Sequence, residues 1–224
     1  MRFIGSQRLL TAVFIVAPVF LSGCSEGPFS GLGAYSPWVR KKWAEEEQYV
    51  QSLYGRRDQL RNLTSRAKSM TPAEQERVSR DLARLFREDP IVLLRIEAIK
   101  TLTVFPTQTA TNVLKEALKD SDADIRLEAC RAWGERQDPQ GIAALHKALG
   151  SDTEIDVRLA ATRALGKYQD PRAVNALSIA LEDSNPAMQY RAMESLRMAS
   201  GENRGMDIVA WRDYLRTASR PDVN

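Results

Sequence analysis

Cysteine and histidine are nearly absent from this sequence of 224 residues, which contains only Cys24, Cys130 and His146. Structural zinc sites use four ligands, mostly cysteine and histidine, so the sequence argues against such a site. A lone histidine also argues against Ser-His or Cys-His catalysis. No glycine-rich phosphate loop, nucleophile elbow or paired-carboxylate motif is present. We therefore expect a protein that is not an enzyme and that binds neither a metal nor a cofactor.

Long apolar stretches are also scarce. The uncharged run Leu9–Leu21 has only thirteen residues, whereas a membrane-spanning helix needs about 20. Arg2 and Arg8 precede the run with no acidic residue near them, which is typical of an export signal. The segment Leu21-Ser22-Gly23-Cys24 then resembles the lipobox of bacterial lipoproteins. That resemblance implies cleavage between Gly23 and Cys24 and a diacylglycerol on the Cys24 thiol.

Such a lipid would hold the chain on a membrane without spanning it, since two or more acyl chains give stable anchoring. Residues 25–36 are rich in glycine, serine and proline, which predicts a flexible tether. Ser25 stands where some lipoproteins carry the aspartate that retains them at an inner membrane. The expected location is therefore the cell envelope, with the outer membrane slightly favoured. The alternative is an ordinary secretory signal or N-terminal anchor, with a cysteine there by chance.

Charge of either sign is not in excess. Residues 1–23 contain two arginines and no acidic residue, so a chain cut before Cys24 keeps 30 basic and 29 acidic residues. This balance gives no general reason to expect a nucleic acid or an acidic membrane surface as partner. A lipidated Cys24 leaves Cys130 as the only thiol, which excludes an internal disulfide. Cys130 lies among apolar helix positions and is predicted to be a small core residue, and His146 is predicted to be exposed or half-buried.

What the sequence does contain is a repeat. Residues Ile125–Leu149 and Val157–Leu181 align without a gap, with thirteen of 25 positions identical, and Leu94–Leu118 and Tyr190–Leu215 fit more loosely. Each unit shows two apolar helical faces separated by a turn, and strand-like alternation is missing. A helix pair this short buries its apolar face only by stacking on its neighbours.

The pattern Asp-x-x-hydrophobic-Arg-x-x-Ala-x-x-Ala-Leu-Gly resembles the short HEAT-like repeats of phycobilisome-lyase type. Asp122 opens it in one unit, while Glu154 replaces that aspartate in the next and should cap its helix less well. The resemblance implies an all-α fold, an α-solenoid of about four HEAT-like helix pairs with an N-terminal helical cap. Residues 201–219 are similar to the C-terminal segments of HEAT-repeat lipoproteins from planctomycete-type bacteria. The predicted segments are a signal peptide (1–23), the lipidated cysteine and tether (24–36), a helical cap (37–88), the repeats (89–200) and a C-terminal capping helix (201–219).

Two columns of basic residues follow the repeat. The first column recurs at intervals of 31, 32 and 33 residues and comprises Arg95, Arg126, Arg158 and Arg191. In HEAT-like repeats this arginine pairs with an aspartate at a helix start, which makes the column a structural ladder. Asp122, Asp124 and Asp156 are the expected acids.

The second column comprises Lys100, Arg131 and Arg163, each five residues after a ladder arginine, and Leu196 breaks this series. Five residues along a helix correspond to a rotation of about 140°, so the column faces away from the ladder. In HEAT arrays the corresponding helices line the concave surface. This ridge is therefore a candidate site for an acidic protein or peptide, the alternative being an ordinary solvated helix face.

Two functions remain open. The first is a non-catalytic, membrane-anchored scaffold that binds another protein. The second is an accessory factor or enzyme like the HEAT-repeat bilin lyases. The predicted export and the lack of residues suited to a chromophore disfavour this second function.

Overall fold

The computed structural model describes residues 37–218, without the side chains of residues 37–40, 42–44 and 218. The described chain is helical throughout and contains no strand, which confirms the predicted all-α fold. A 3₁₀ turn, Ala67–Ser69, separates the first two helices. The α-helices are α1 (Pro37–Arg66), α2 (Pro72–Glu88), α3 (Val92–Leu102), α4 (Gln108–Ala117), α5 (Ala123–Arg136), α6 (Gly141–Ser151), α7 (Ile155–Leu165), α8 (Pro171–Ala176), α9 (Ser178–Leu181), α10 (Pro186–Ser200) and α11 (Ile208–Ala218).

Four helix pairs follow α2, as predicted for the repeats. They are α3 with α4, α5 with α6, α7 with α8 and α9, and α10 with α11. The first helices of the pairs pack side by side in the order α3, α5, α7, α10, and each second helix packs against the first helix of the next pair. Neighbouring pairs therefore share one continuous core, as expected of a solenoid.

The core repeats with the sequence. Three positions of every first helix are buried, and they recur at intervals of 31, 32 and 31 residues. A large apolar side chain opens the set, a small alanine follows one turn later, and a large side chain closes it. The three columns are Leu94, Ile125, Val157 and Met188; Ala98, Ala129, Ala161 and Ala192; and Leu102, Trp133, Leu165 and Leu196. The alanines let adjacent first helices approach closely.

The helix starts follow the predicted capping chemistry in most places. Thr71 and Glu74 form the capping box that opens α2, with the Thr71 Oγ1 accepting from the Glu74 backbone N–H at 3.3 Å. Asp122 caps α5 by accepting from the backbone N–H groups of the next helical residues. Glu154, at the equivalent place before α7, makes no such bond. Its longer side chain fits the N-cap geometry less well, as predicted.

Three local features differ from the expectation. Val50 and Leu60 belong to a set of apolar residues whose spacing along α1 predicts a single apolar stripe, yet Val50 is exposed while Leu60 is buried. The second helix of the third pair is interrupted at Leu177. There the Ser178 hydroxyl donates to the carbonyl oxygen of Asn175, an acceptor that an unbroken helix would offer to its own backbone. The predicted C-terminal cap is itself the second helix of the fourth pair, with Trp211 fully buried.

The predictions for the N-terminal segment concern residues outside the described range. Gly23, Cys24, the apolar run before them and the tether 25–36 all lie there. Among the helices that the structure does describe, none combines the length and the apolar character needed to cross a membrane.

Candidate partner-binding cleft

The ladder arginines on the first three pairs each join their own first helix to the loop before the next pair. Arg95 pairs with Asp120, Arg126 with Asp152, and Arg158 with Asp183. The guanidinium groups of Arg95 and Arg126 also bind backbone carbonyls of earlier residues, and Arg95 Nε donates to the carbonyl oxygen of Phe86 at 3.0 Å. Arg126 Nη1 donates to the carbonyl oxygen of Asp120 at 2.9 Å. Each arginine thus connects successive pairs, and the ladder fixes the spacing of the first helices.

The expected acidic partners were wrong. Asp122, Asp124 and Asp156 do not pair with the ladder arginines; the partners are Asp120, Asp152 and Asp183 in the loops. Each loop aspartate also accepts the backbone N–H two residues further on, at 2.8–3.0 Å. Its carboxylate therefore stabilises the loop and binds the ladder arginine at the same time.

The fourth ladder residue was assigned to the wrong position. The buried columns show that Gln189, not Arg191, is equivalent to the other three, since it directly follows Met188. Gln189 Nε2 donates to the carbonyl oxygen of Asp183 at 2.8 Å, which preserves the backward bond of the ladder. Arg191 pairs instead with Glu194 on the same helix at 3.0 Å. The same shift of two residues makes Glu194, rather than Leu196, the fourth member of the column of Lys100, Arg131 and Arg163. Leu196 is buried.

The ion pair between Arg126 and Asp152 is the best-formed of the three in the ladder. Arg126 Nε and Nη2 donate to the two carboxylate oxygens at 2.8 and 2.9 Å, a bidentate arrangement. Partial burial works to raise the pKa of Asp152, but the hydrogen bonds from Arg126 and from the Glu154 backbone outweigh it and lower the pKa. The bond to Asp152 in turn raises the pKa of Arg126. Both groups are therefore held in their charged forms.

Glycines set how close the first helices come. A Cβ on Gly134 of α5 would lie 2.9 Å from the Cα of Ala164 on α7. One on Gly166, which ends α7, would lie 2.8 Å from the Cα of Ser195 on α10. Carbon atoms in ordinary contact are about 3.5–4.0 Å apart. Only glycine allows these approaches, so both glycines are required by packing rather than by an unusual backbone angle.

A cleft of about 330 Å³ lies between α5 and α7 on the side of the first helices that faces solvent. Its apolar floor is formed by Leu127, Leu159 and Ala160, all half-buried. Arg131 from α5 and Arg163 from α7 line it together, so the structure brings two of the three predicted ridge residues to one site.

Lys167 also lines this cleft, and sequence reasoning missed it. It lies four residues after Arg163, one helical turn further, and this spacing could have identified it. Lys100 is exposed on α3 but is not part of the cleft. The predicted ridge is thus a local basic site on two helices.

The charges of the cleft are only partly neutralised. Arg131 Nη1 lies 3.4 Å from the Glu128 carboxylate, three residues earlier on α5. Arg163 and Lys167 are exposed, and neither pairs with a carboxylate among the residues that the structure describes. Asp156 is the one acidic residue among those lining the cleft. The site therefore has an excess of positive charge around an apolar floor.

Cys130 and His146, the residues considered for chemistry, lie in the predicted environments. Cys130 is buried, with its Sγ 3.9 Å from the carbonyl oxygen of Val157, and burial raises its pKa to about 12. It is the core residue that was predicted, and His146 is exposed as predicted. Between residues 37 and 218, no three His, Cys, Asp or Glu side chains come together as a metal site would require.

Comparison with protein families agrees with this geometry. A family model described as HEAT repeats matches residues 79–155 and, in an overlapping second match, residues 142–210. Together the matches run from α2 into α11 and cover more than half of the chain. A comparison with curated proteins finds no match.

Proposed function

We propose, starting from the fact that this chain belongs to the HEAT-repeat family, that it is a membrane-anchored lipoprotein acting as a non-catalytic scaffold. Its lipid would be attached at Cys24 after cleavage behind Gly23. Its partner would be another protein of the cell envelope, bound through an acidic segment in the cleft between α5 and α7. The helical repeats would serve to present this cleft at a fixed geometry.

The observation that carries the proposal is the composition of the cleft. Protein interfaces combine an apolar centre with a polar rim and are enriched in arginine. Leu127 and Leu159 provide such a centre, and Arg131 and Arg163 stand beside it. Arginine has a planar fork of donors that matches the two oxygens of a carboxylate. A peptide with an acidic residue next to an apolar one fits this arrangement.

Further apolar side chains on the same row of helices support a protein partner. Leu93 on α3 and Tyr190 and Met198 on α10 are between 44% and 49% exposed. These residues lie on α3 and α10, the first helices that pack on either side of α5 and α7. A small molecule would need only the cleft, whereas a protein segment would use the neighbouring helices as well.

The anchor is supported by the residues before the described range. The apolar run, the small residues before Cys24 and the cysteine itself resemble a lipobox. Twelve residues, 25–36, would separate the lipid from the start of α1. The lipid would therefore attach the repeats to a membrane through this segment and α1.

The anchor is tested with the Cys24→Ala variant. The wild-type protein is expected to incorporate radiolabelled palmitate in cells and to sediment with membranes after cleavage. The variant should do neither. A processed Cys24→Ala protein that still takes up palmitate would show that the lipid is elsewhere.

The cleft is tested by reversing its two unpaired charges. The double variant R163E/K167E should lose capture of the partner from cross-linked cells. The variant R80E/R84E has the same change in charge on α2, away from the cleft, and should keep it. Equal loss in both variants, or in neither, would contradict the assignment of the cleft. Matching circular dichroism spectra and melting temperatures would show that both variants remain folded.

A further inference from the structure

A second cleft, of about 230 Å³, lies between α4 and α6, the second helices of neighbouring pairs. Three lysines line it: Lys115 on α4, Lys119 just after α4, and Lys147 on α6. Lys119 and Lys147 are exposed, and Lys115 is half-buried. The cleft between α5 and α7, called the first-helix cleft from here on, is lined by two arginines and one lysine. Every basic residue that lines the second cleft is a lysine.

These lysines are not neutralised within the described part of the chain. Lys115 Nζ donates to the side-chain oxygen of Gln140 at 2.9 Å, a neutral acceptor that holds the ammonium group in place. No ion pair involving any of the three lysines is found in residues 37–218. Asp152 is the one carboxylate lining the cleft, and both its oxygens are taken by Arg126. The cleft thus has three positive charges and a carboxylate that is already satisfied.

The chemistry of the lysines indicates the ligand. An ammonium group is a compact, strongly hydrated point charge that lacks the planar fork of arginine. Lysine binds phosphate as a point charge, and several lysines can surround a tetrahedral anion without a fixed plane. The site is therefore better matched to a phosphate group than to a single planar carboxylate.

The floor of the cleft gives the ligand an apolar part. Leu118, Ala144 and Ala148 form it, so a bound group can be charged on one side and aliphatic on the other. No large apolar side chain is exposed anywhere in α2, α4 or α6, all of which the structure describes. The second helices expose two large apolar side chains, Ile179 on α9 and Val209 on α11, and neither lines the cleft. A phosphate ester of glycerol or of a lipid has both required parts.

From this arrangement we infer that the cleft between α4 and α6 binds a phosphate ester and that the anionic headgroup of a phospholipid is its source. The choice of a lipid source rests on the proposed function, since an anchor at Cys24 would hold the chain on a membrane that contains such headgroups. The first-helix cleft, on the other row of helices, would then remain open to a protein partner.

The test uses the full chain with Cys24→Ser throughout, so the result does not depend on lipid attachment in cells. Binding is measured to vesicles of phosphatidylcholine alone and to vesicles that also contain phosphatidylglycerol. The neutral vesicles report the contribution of the apolar run Leu9–Leu21. A titration with sn-glycerol 3-phosphate, followed by calorimetry, tests for a soluble phosphate ester. Palmitate labelling of the wild-type protein tests the anchor separately.

The chain should prefer the anionic vesicles, and the K119Q/K147Q variant should lose about 25-fold in that preference, from roughly fivefold for each cation near an anionic surface. The R163Q/K167Q variant removes the same charge from the first-helix cleft and should lose less than twofold. Sodium chloride at high concentration should abolish the difference between the variants, because it screens the charges.

Three results decide the source and the site. A preference for anionic vesicles that depends on Lys119 and Lys147 supports the lipid headgroup. Lysine-dependent binding of glycerol phosphate without any vesicle preference overturns the lipid source. An equal loss in both double variants, or no binding to either probe, overturns the site itself.

Discussion

Substitution of Gly166 by alanine is the sharpest test of how the first helices pack. In most helical positions this change stabilises a protein, by up to about 1 kcal/mol, because glycine is the more flexible residue. At Gly166 the added Cβ would lie 2.8 Å from both the Cα and the Cβ of Ser195. That is about 0.7 Å closer than the nearest ordinary contact between carbon atoms. One of the two contacting atoms is backbone, so α10 must move away from α7.

Overpacking of this kind costs about 1–3 kcal/mol. After subtracting a gain in helix propensity of about 1 kcal/mol, we expect Gly166→Ala to lower the free energy of unfolding by up to about 2 kcal/mol. Gly150→Ala is the matched control, because its Cβ would lie 3.5 Å from Ile179 Cδ1, an ordinary contact. This control should be neutral or slightly stabilising. Urea denaturation followed by circular dichroism measures both changes, and a Gly166→Ala protein as stable as the control would refute the reasoning.

Further predictions concern the ladder and the core. Asp152→Asn should lower the free energy of unfolding by about 2–3 kcal/mol in urea denaturation, since it leaves the guanidinium of Arg126 short of a charged partner in a largely buried place. Because folding lowers the pKa of Asp152 from about 3.8, its contribution is complete above that pH and is lost as the pH falls further. Acid denaturation should therefore be less steep in the variant than in the wild type. The Cys130 thiol, with a pKa of about 12, should resist alkylation by iodoacetamide at pH 8 until urea unfolds the protein; rapid labelling of the native protein would contradict its burial. Trp211→Ala should cost about 3–5 kcal/mol, measured by the same denaturation, because it empties a fully buried site.

Much of the fold was predictable because the sequence identities and the buried positions repeat at nearly the same interval. Thirteen identities in 25 positions located the second and third pairs, and the buried first-helix columns repeat at nearly the same interval. The fourth pair was placed two residues out of register because Arg191 was aligned with the ladder arginines by residue type alone. Met188 and Ala192, which carry the buried face, would have placed Gln189 in the ladder.

The acidic partners of the ladder arginines were predicted wrongly for a different reason. The rule that aspartate caps helices drew attention to Asp122 and Asp156, yet the arginines reach the loop residues two to four positions earlier. Asp120, Asp152 and Asp183 recur at intervals of 32 and 31 residues. A search for acidic residues at the repeat interval would therefore have identified them. The reason that Gly166 must be glycine could not be predicted, since it depends on the distance to another helix.

The cleft was predicted in part. Arg131 and Arg163 were identified as a column on one face, and the structure places both at one site with Lys167. Lys100 was included because a column implies equal spacing along the array. A cleft depends instead on which neighbouring helices leave a gap, and no single-helix pattern contains that information.

Photo-cross-linking in cells tests the central claim most directly. A photoreactive residue at position 160 would stand on the floor of the first-helix cleft, and one at position 143 would replace an exposed alanine on α6. Mass spectrometry then maps the captured peptides. The scaffold proposal predicts that position 160 captures an acidic segment of one envelope protein, that position 143 does not, and that R163E/K167E abolishes the capture. Capture that is equal at both positions, or that survives the charge reversal, would contradict the assignment of this cleft as the binding site.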